Sequence, residues 1–167
     1  MLSEKMAQAI NTQINKEIYS GYFYMAMSAE FTSLGLKGFA NWFMVQYHEE
    51  MAHAMKFYNY LHDQGNRVKL LAIDEPPADF KSPLDMCERT LAHEKFVTSL
   101  INGLVELAVE EKDEGTRDFL QWYVKEQVEE EESAGNLVEK VKAAGEDEEA
   151  LKKVDKELAG REFHPPK

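Results

Sequence analysis

Residues 47–60 read YHEEMAHAMKFYNY, and stepping by three and four through and around this stretch picks out Phe39, Phe43, Gln46, Glu50, His53, Phe57 and Tyr60. That is the spacing of one face of an amphipathic helix, so Glu50 and His53 point inward, one turn apart, within an otherwise apolar stripe. An isolated buried carboxylate costs several kcal/mol or stays protonated, and the helix therefore demands a partner for Glu50.

The same anomaly recurs in every other long periodic segment. One face of the first carries Ile10, Ile14, Glu17, Gly21, Tyr24 and Phe31, and one face of the third carries Leu84, Cys87, Leu91, Glu94, Val97, Ile101, Leu104 and Ala108. The fourth has Leu120, Tyr123, Gln127, Glu130, Ala134, Leu137 and Val141, placing a carboxamide and a carboxylate on successive inward turns.

The breaks between these segments give the topology. The first helix is expected from about Ser3, an N-cap, to Ser33, before the glycines of SLGLKG; the second runs from about Gly38 to Gln64, before Gly65. Ser82-Pro83 starts a third helix ending near Lys112, DEG at 113–115 is read as a tight turn, and a fourth helix covers about Thr116 to Ala144. A short fifth, about Asp147 to Leu158, has Leu151, Val154 and Leu158 on one side. Strand-like alternation is absent.

Short turns make the first and second helices, and the third and fourth, antiparallel hairpins. The segment between them, NRVKLLAIDEPPADFKS, contains Pro76 and Pro77 and cannot be helical throughout. Fully extended it reaches about 55 Å, enough to cross helices of about 40–45 Å. The expected fold is all-α, one domain over residues 1–167: a four-helix bundle with one long crossover and a short C-terminal fifth helix.

Height agrees with face. Glu17 lies 18 residues before Gly35 and Glu50 lies 15 after it, while Glu94 and the Gln127/Glu130 pair flank the second turn at comparable distances. These residues converge near mid-bundle. Any single one could be a core polar group satisfied by a neighbour, but several at one height form a cluster that cannot be fully ionised without a counter-charge. Two divalent cations would balance Glu17, Glu50, Glu94 and Glu130, with His53 adding a nitrogen ligand. Oxygen-rich ligation with one imidazole suits iron or manganese. A protonated cluster and a calcium site are the alternatives; calcium draws on flexible loops and backbone carbonyls.

Composition narrows the partners. A formal charge of −12, from 19 Lys and Arg against 31 Asp and Glu, disfavours nucleic acid and anionic membranes. No stretch approaches a membrane span, MLSEKMAQAI lacks the apolar core of a secretion signal, and a cytoplasmic protein is expected. The lone Cys87 excludes an intrachain disulfide and a multi-cysteine metal site; it reads as a small apolar core residue.

NKEIYSGYFY (15–24), GLKGF at the turn, YHEEMAHA, AHEKFVT and FLQWYVKEQVEEEE together resemble the non-haem ferritins of bacteria and archaea over essentially the whole chain. The resemblance implies a cage, usually of 24 subunits, that oxidises Fe(II) with dioxygen or hydrogen peroxide at an intrasubunit dinuclear ferroxidase centre and stores ferric mineral. It implies that Glu17, Glu50 and His53 hold the first iron, and that Glu50 bridges to a second held with Glu94 and Glu130. It also implies that Gln127 lines the oxygen side, that Tyr24 supplies an electron or hydrogen bond, and that Glu49, Glu126 and Glu129 form a third iron site. A run such as VEEEES is otherwise most often a solvated helix face.

The haem-carrying bacterioferritins have a Glu-x-x-His pair on the fourth helix as well, where this chain reads Gln127-Val128-Glu129-Glu130. Met51 falls where those relatives carry the haem-ligating methionine, but methionine is common at helix interfaces and haem is not expected. A rubrerythrin-like peroxidase usually needs a cysteine-bound iron domain, which one cysteine cannot build. His48 and His93 are expected on neighbouring faces as hydrogen-bonding groups, His62 and His164 in solvent, and Trp122 beside the centre. By resemblance the fifth helix packs at a symmetry axis; its apolar stripe equally suits docking on its own bundle.

Overall fold

The computed structural model describes residues 1–166. Five helices form in order: α1 (Glu4–Ser33), α2 (Lys37–Asp63), α3 (Pro83–Glu110), α4 (Glu114–Ala144) and α5 (Glu148–Leu158). Local chemistry sets the starts. Ser3 Oγ accepts from the Met6 amide and Ser82 Oγ from the Asp85 amide, each satisfying a backbone donor that the first turn leaves free.

One turn falls elsewhere than the sequence pattern indicates. The α3–α4 reversal is made by Lys112, in the left-handed region at φ 56°, and not by Gly115, which lies inside α4. Asp113 is the reason. Its side chain accepts from the Thr116 amide at 2.9 Å and caps α4, so the helix starts two residues early and DEG is a cap with its first turn.

Register follows from side-chain bonds between helices. α1 and α3 run antiparallel, since Ser3 Oγ reaches Glu111, Ser20 Oγ lies 2.7 Å from His93 Nε2, and Thr90 Oγ1 meets Met27 Sδ. α2 and α4 are likewise antiparallel: Gln46 meets Glu130, the Tyr123 hydroxyl donates to the His53 carbonyl, and Tyr60 meets Thr116. Both α2 and α3 therefore oppose α1, and are parallel to each other. The crossover connecting them travels along α1, pinned where Leu2 N donates to Asn66 Oδ1, Lys69 N to Asn11 Oδ1 and Asn15 Nδ2 to the Ala72 carbonyl.

The core is split into two apolar clusters. One end packs Phe23, Tyr24, Met27, Phe31, Phe39, Phe43 and Leu137; the other packs Met6, Ile10, Ile14, Phe57, Ile101 and Tyr123. A polar layer lies between them.

α5 docks on its own bundle. Leu158 is buried, and Leu151 and Val154 are half-buried against the first cluster. Asp155 Oδ1 accepts from the Phe39 amide at 2.9 Å, capping the start of α2. Gly38 makes the approach possible, because a Cβ there would lie 1.6 Å from the Asp155 carbonyl oxygen. Gly38→Ala must push α5 off α2, and overpacking against rigid backbone costs about 1–3 kcal/mol. A lower melting temperature with greater proteolysis after residue 145 checks this; an unchanged melt would contradict it.

Candidate metal centre

Each helix delivers its inward polar residues to the layer between the clusters. Glu17, Glu50, His53, Glu94 and Glu130 are at most 5% exposed. Among the described residues, three groups bring one ligand atom per residue within 4.8 Å of one another: Glu17–Glu50–His53, Glu50–Glu94–Glu130, and His53–Glu126–Glu130. Glu50 belongs to both all-buried groups, so one carboxylate stands between two ligand sets.

Neutral donors aim these carboxylates. Gln13 Nε2 donates to Glu17 Oε1 at 2.8 Å, Gln46 Nε2 to Glu130 Oε2 at 3.0 Å, and Gln127 Nε2 to Glu94 Oε2 at 3.2 Å; the Tyr24 hydroxyl donates to Glu94 Oε1. Two oxygens are left over. Glu17 Oε2 and Glu50 Oε2 are buried without a hydrogen bond. His53 Nδ1 is 3.3 Å from Glu50 Oε2, close enough for charge attraction but outside hydrogen-bond geometry. A buried acceptor left unpaired costs about 1–3 kcal/mol, more when charged.

The electrostatics carry the same sign throughout. Burial, then the nearby Glu94, pushes the Glu50 carboxyl well above the usual range; burial foremost raises Glu94, and burial plus Glu94 lifts Glu130 to about 8. Burial alone would lower His53, but Glu126 and Glu50 outweigh it and hold its pKa well above the ordinary value. Tyr24, buried beside Glu94 and Glu50, is raised well above its ordinary value and stays a proton donor. Mutual repulsion and burial together favour protonation of these carboxyls, which a bound cation would oppose.

A family model described as the ferritin-like domain matches residues 7–144. The chain belongs to the ferritin family. It is 43% identical over 145 residues to a bacterial non-heme ferritin of Bacteroides fragilis, covering 87% of this chain and 91% of that one. It is 38% identical over 163 residues to a bacterial non-heme ferritin of Staphylococcus aureus, covering 98% of each. Among solved structures, an open-pore ferritin from the archaeon Archaeoglobus fulgidus superposes with TM-score 0.96 at 53% identity, over 97% of this chain and all of that one. An engineered closed form of that protein gives 0.97, also at 53%, over 98% and 100%. The ferritin is thus of the non-haem bacterial and archaeal type.

The outer acidic residues are arranged differently from the inner set. In this ferritin Glu126 Oε1 faces His53 Nε2 at 3.7 Å, Glu129 is exposed, and Glu49 Oε2 is bonded to Arg161 at 2.9 Å. Glu49, Glu126 and Glu129 are not gathered into one ligand group. His93 is half-buried against Ser20 with its pKa lowered by burial to about 4, whereas His48, His62 and His164 are exposed. Trp122 stacks edge-on to His53, 5.5 Å between centroids. Burial pushes the Cys87 thiol up to about 12, which keeps it unreactive. Gln13 and Arg161 escaped the sequence reading: Gln13 sits one turn before Glu17, a signal available in hindsight, while Arg161 lies in a tail with no periodicity.

Proposed function

We propose that this ferritin oxidises Fe(II) at the mid-bundle centre and stores the ferric product inside a cytoplasmic homo-oligomeric cage of about 24 subunits. The observation that carries it is the pair of buried three-ligand groups sharing Glu50, with Glu17 Oε2 and Glu50 Oε2 left without a hydrogen bond. Those free oxygens have the chemistry of ligands awaiting a cation, and the donor set, oxygen with one imidazole, fits ferrous iron.

Glu17, Glu50 and His53 would hold one Fe(II), and Glu50, Glu94 and Glu130 the other. Gln13, Gln46 and Gln127 hold these carboxylates in place, so little reorganisation is needed on loading. Two Fe(II) give two electrons, which with two protons reduce one dioxygen to hydrogen peroxide or one hydrogen peroxide to two waters. Tyr24, hydrogen-bonded to Glu94, would supply a hydrogen bond beside the second ion. The protons released as Glu50, Glu94 and Glu130 take up metal supply the acceptor. Product then passes to the outer acidic residues Glu49, Glu126 and Glu129 and on to the interior of the cage.

Among the described residues no helix is long and apolar enough to cross a membrane. Anaerobic Fe(II) titration is expected to saturate at two ions per subunit before any mineral forms. A native mass near 460 kDa, from about 24 copies of the 19.2 kDa chain, is the companion result. One ion per subunit, or a dimer as the largest species, would refute this reading.

A further inference from the structure

Beyond α5 the chain folds back onto α2. Asn41 Nδ2 donates to the carbonyls of Leu158 at 3.3 Å and Arg161 at 2.9 Å, holding the turn. The Arg161 side chain is then gripped from several sides. Its Nη1 donates to the Trp42 carbonyl at 3.2 Å, its Nη2 to Gln46 Oε1 at 2.6 Å and to Glu49 Oε2 at 2.9 Å, and its Cζ lies 4.4 Å from the Trp42 ring centroid. A guanidinium cannot escape by losing its proton, and its planar fork suits this mixture of carboxylate, carbonyl and aromatic face.

Two of these contacts bear on metal. Glu49 precedes the shared ligand Glu50 and is one of the carboxylates through which iron would leave the centre. Gln46 presents its oxygen to Arg161 and, with the same amide turned that way, its nitrogen to Glu130. A fixed positive charge therefore already occupies a lone pair of Glu49 and sets the orientation of the amide that aims Glu130. A third divalent ion arriving there would meet both a used ligand and a like charge.

We infer that Arg161 is the resident cation of Glu49, so that guanidinium and a third metal ion exclude one another at this carboxylate and iron is taken up there only as Arg161 lets go. The inference rests on the dinuclear reading and adds a control point to it: the C-terminal turn, anchored through Asn41 and α5, regulates the step after oxidation. A residue that only pinned the tail would affect stability and leave metal stoichiometry alone.

Zn(II), which does not change oxidation state, separates the possibilities. In the assembled, iron-free protein two tight Zn(II) ions per subunit and a weaker third are expected by calorimetry. Arg161→Met keeps the packing over Trp42 without the charge, and should tighten the third ion at least tenfold, about 1.4 kcal/mol. Glu49→Gln should abolish that gain in the double variant. In Zn(II)-soaked crystals of the parent, third-ion density and the Arg161–Glu49 bond should have occupancies that sum to one, a readout that does not depend on any variant folding. A third-ion affinity within twofold of the parent in Arg161→Met, or full occupancy of both in one subunit, overturns the inference while leaving the two inner ions in place. Absence of the two inner ions from the parent would instead overturn the dinuclear reading, and this inference with it.

Discussion

Glu50→Ala slows the first burst of Fe(II) oxidation, at two or fewer ions per subunit, by at least about 100-fold in the expected outcome. The magnitude follows from position. Glu50 is the one residue common to both buried ligand groups, so its removal takes an oxygen from each ion and the negative charge that holds them together. His53→Ala removes a ligand from only one of the two all-buried groups, and an effect of about 10–100-fold is expected. Glu139→Gln, at an exposed position of α4 outside both ligand groups, should change the burst by less than about threefold and serves as the control. Stopped-flow absorbance at low loading, together with the ferrous binding isotherm, separates lost binding from lost oxidation. Burst rates in Glu50→Ala equal to the parent would mean that oxidation happens elsewhere, on the cage wall or the mineral.

The second large effect is on stability, and its sign is set by the raised carboxyls. Glu130 titrates near 8 in the folded protein and near 4.5 when exposed, with Glu50 and Glu94 displaced in the same direction. Between those values the folded state binds more protons than the unfolded one, so the stability of the metal-free protein is full below about pH 4.5 from these groups and falls as pH rises towards 8. Each unit of displacement is worth about 1.4 kcal/mol, so the loss amounts to several kcal/mol. The imidazole of His53 works alongside, its raised pKa adding stability that is lost as pH climbs through it. Excess Zn(II) should erase this slope: at about 1,000 times its Kd a native-state ligand adds about 4 kcal/mol. Glu94→Gln should flatten it in the absence of metal, since one of the mutually repelling carboxylates becomes neutral. Melting curves at pH 5, 6.5 and 8, with chelator or Zn(II), read all three. A metal-free protein that gained stability from pH 5 to 8 would contradict the assignment of buried, proton-sharing carboxylates.

Much of this was legible in the residues because two periodicities reinforce one another. The 3.6-residue repeat that buries Phe43, Phe57, Ile101 and Tyr123 carries Glu50, Glu94 and Glu130 inward with equal regularity, and hairpin turns fix height as firmly as the stripes fix direction. What escaped lies where periodicity is silent. Asp113 has the same residue type for a turn as for an N-cap, and only the bond to Thr116 decides between them. The first helical turns of α3 bury Met86 and Thr90 more fully than Leu84 and Leu91, which pack only in part against the cluster that holds Phe23 and Met27. The docking of α5 depends on a backbone approach at Gly38, and Arg161 acts through a tail whose sequence has no repeat. Long-range contacts of that kind leave no local trace. The acidic run 129–132 shows the converse: a like-charge block contributes Glu130 to the centre, while Glu129 beside it faces solvent.

Anomalous diffraction from crystals loaded anaerobically with Fe(II) locates the metal itself. Two iron peaks per subunit are expected, one among Glu17, Glu50 and His53 and one among Glu50, Glu94 and Glu130, with Glu50 touching both. Iron found only on exposed acidic residues, with Glu17 Oε2 and Glu50 Oε2 still bare in the core, would contradict the dinuclear reading.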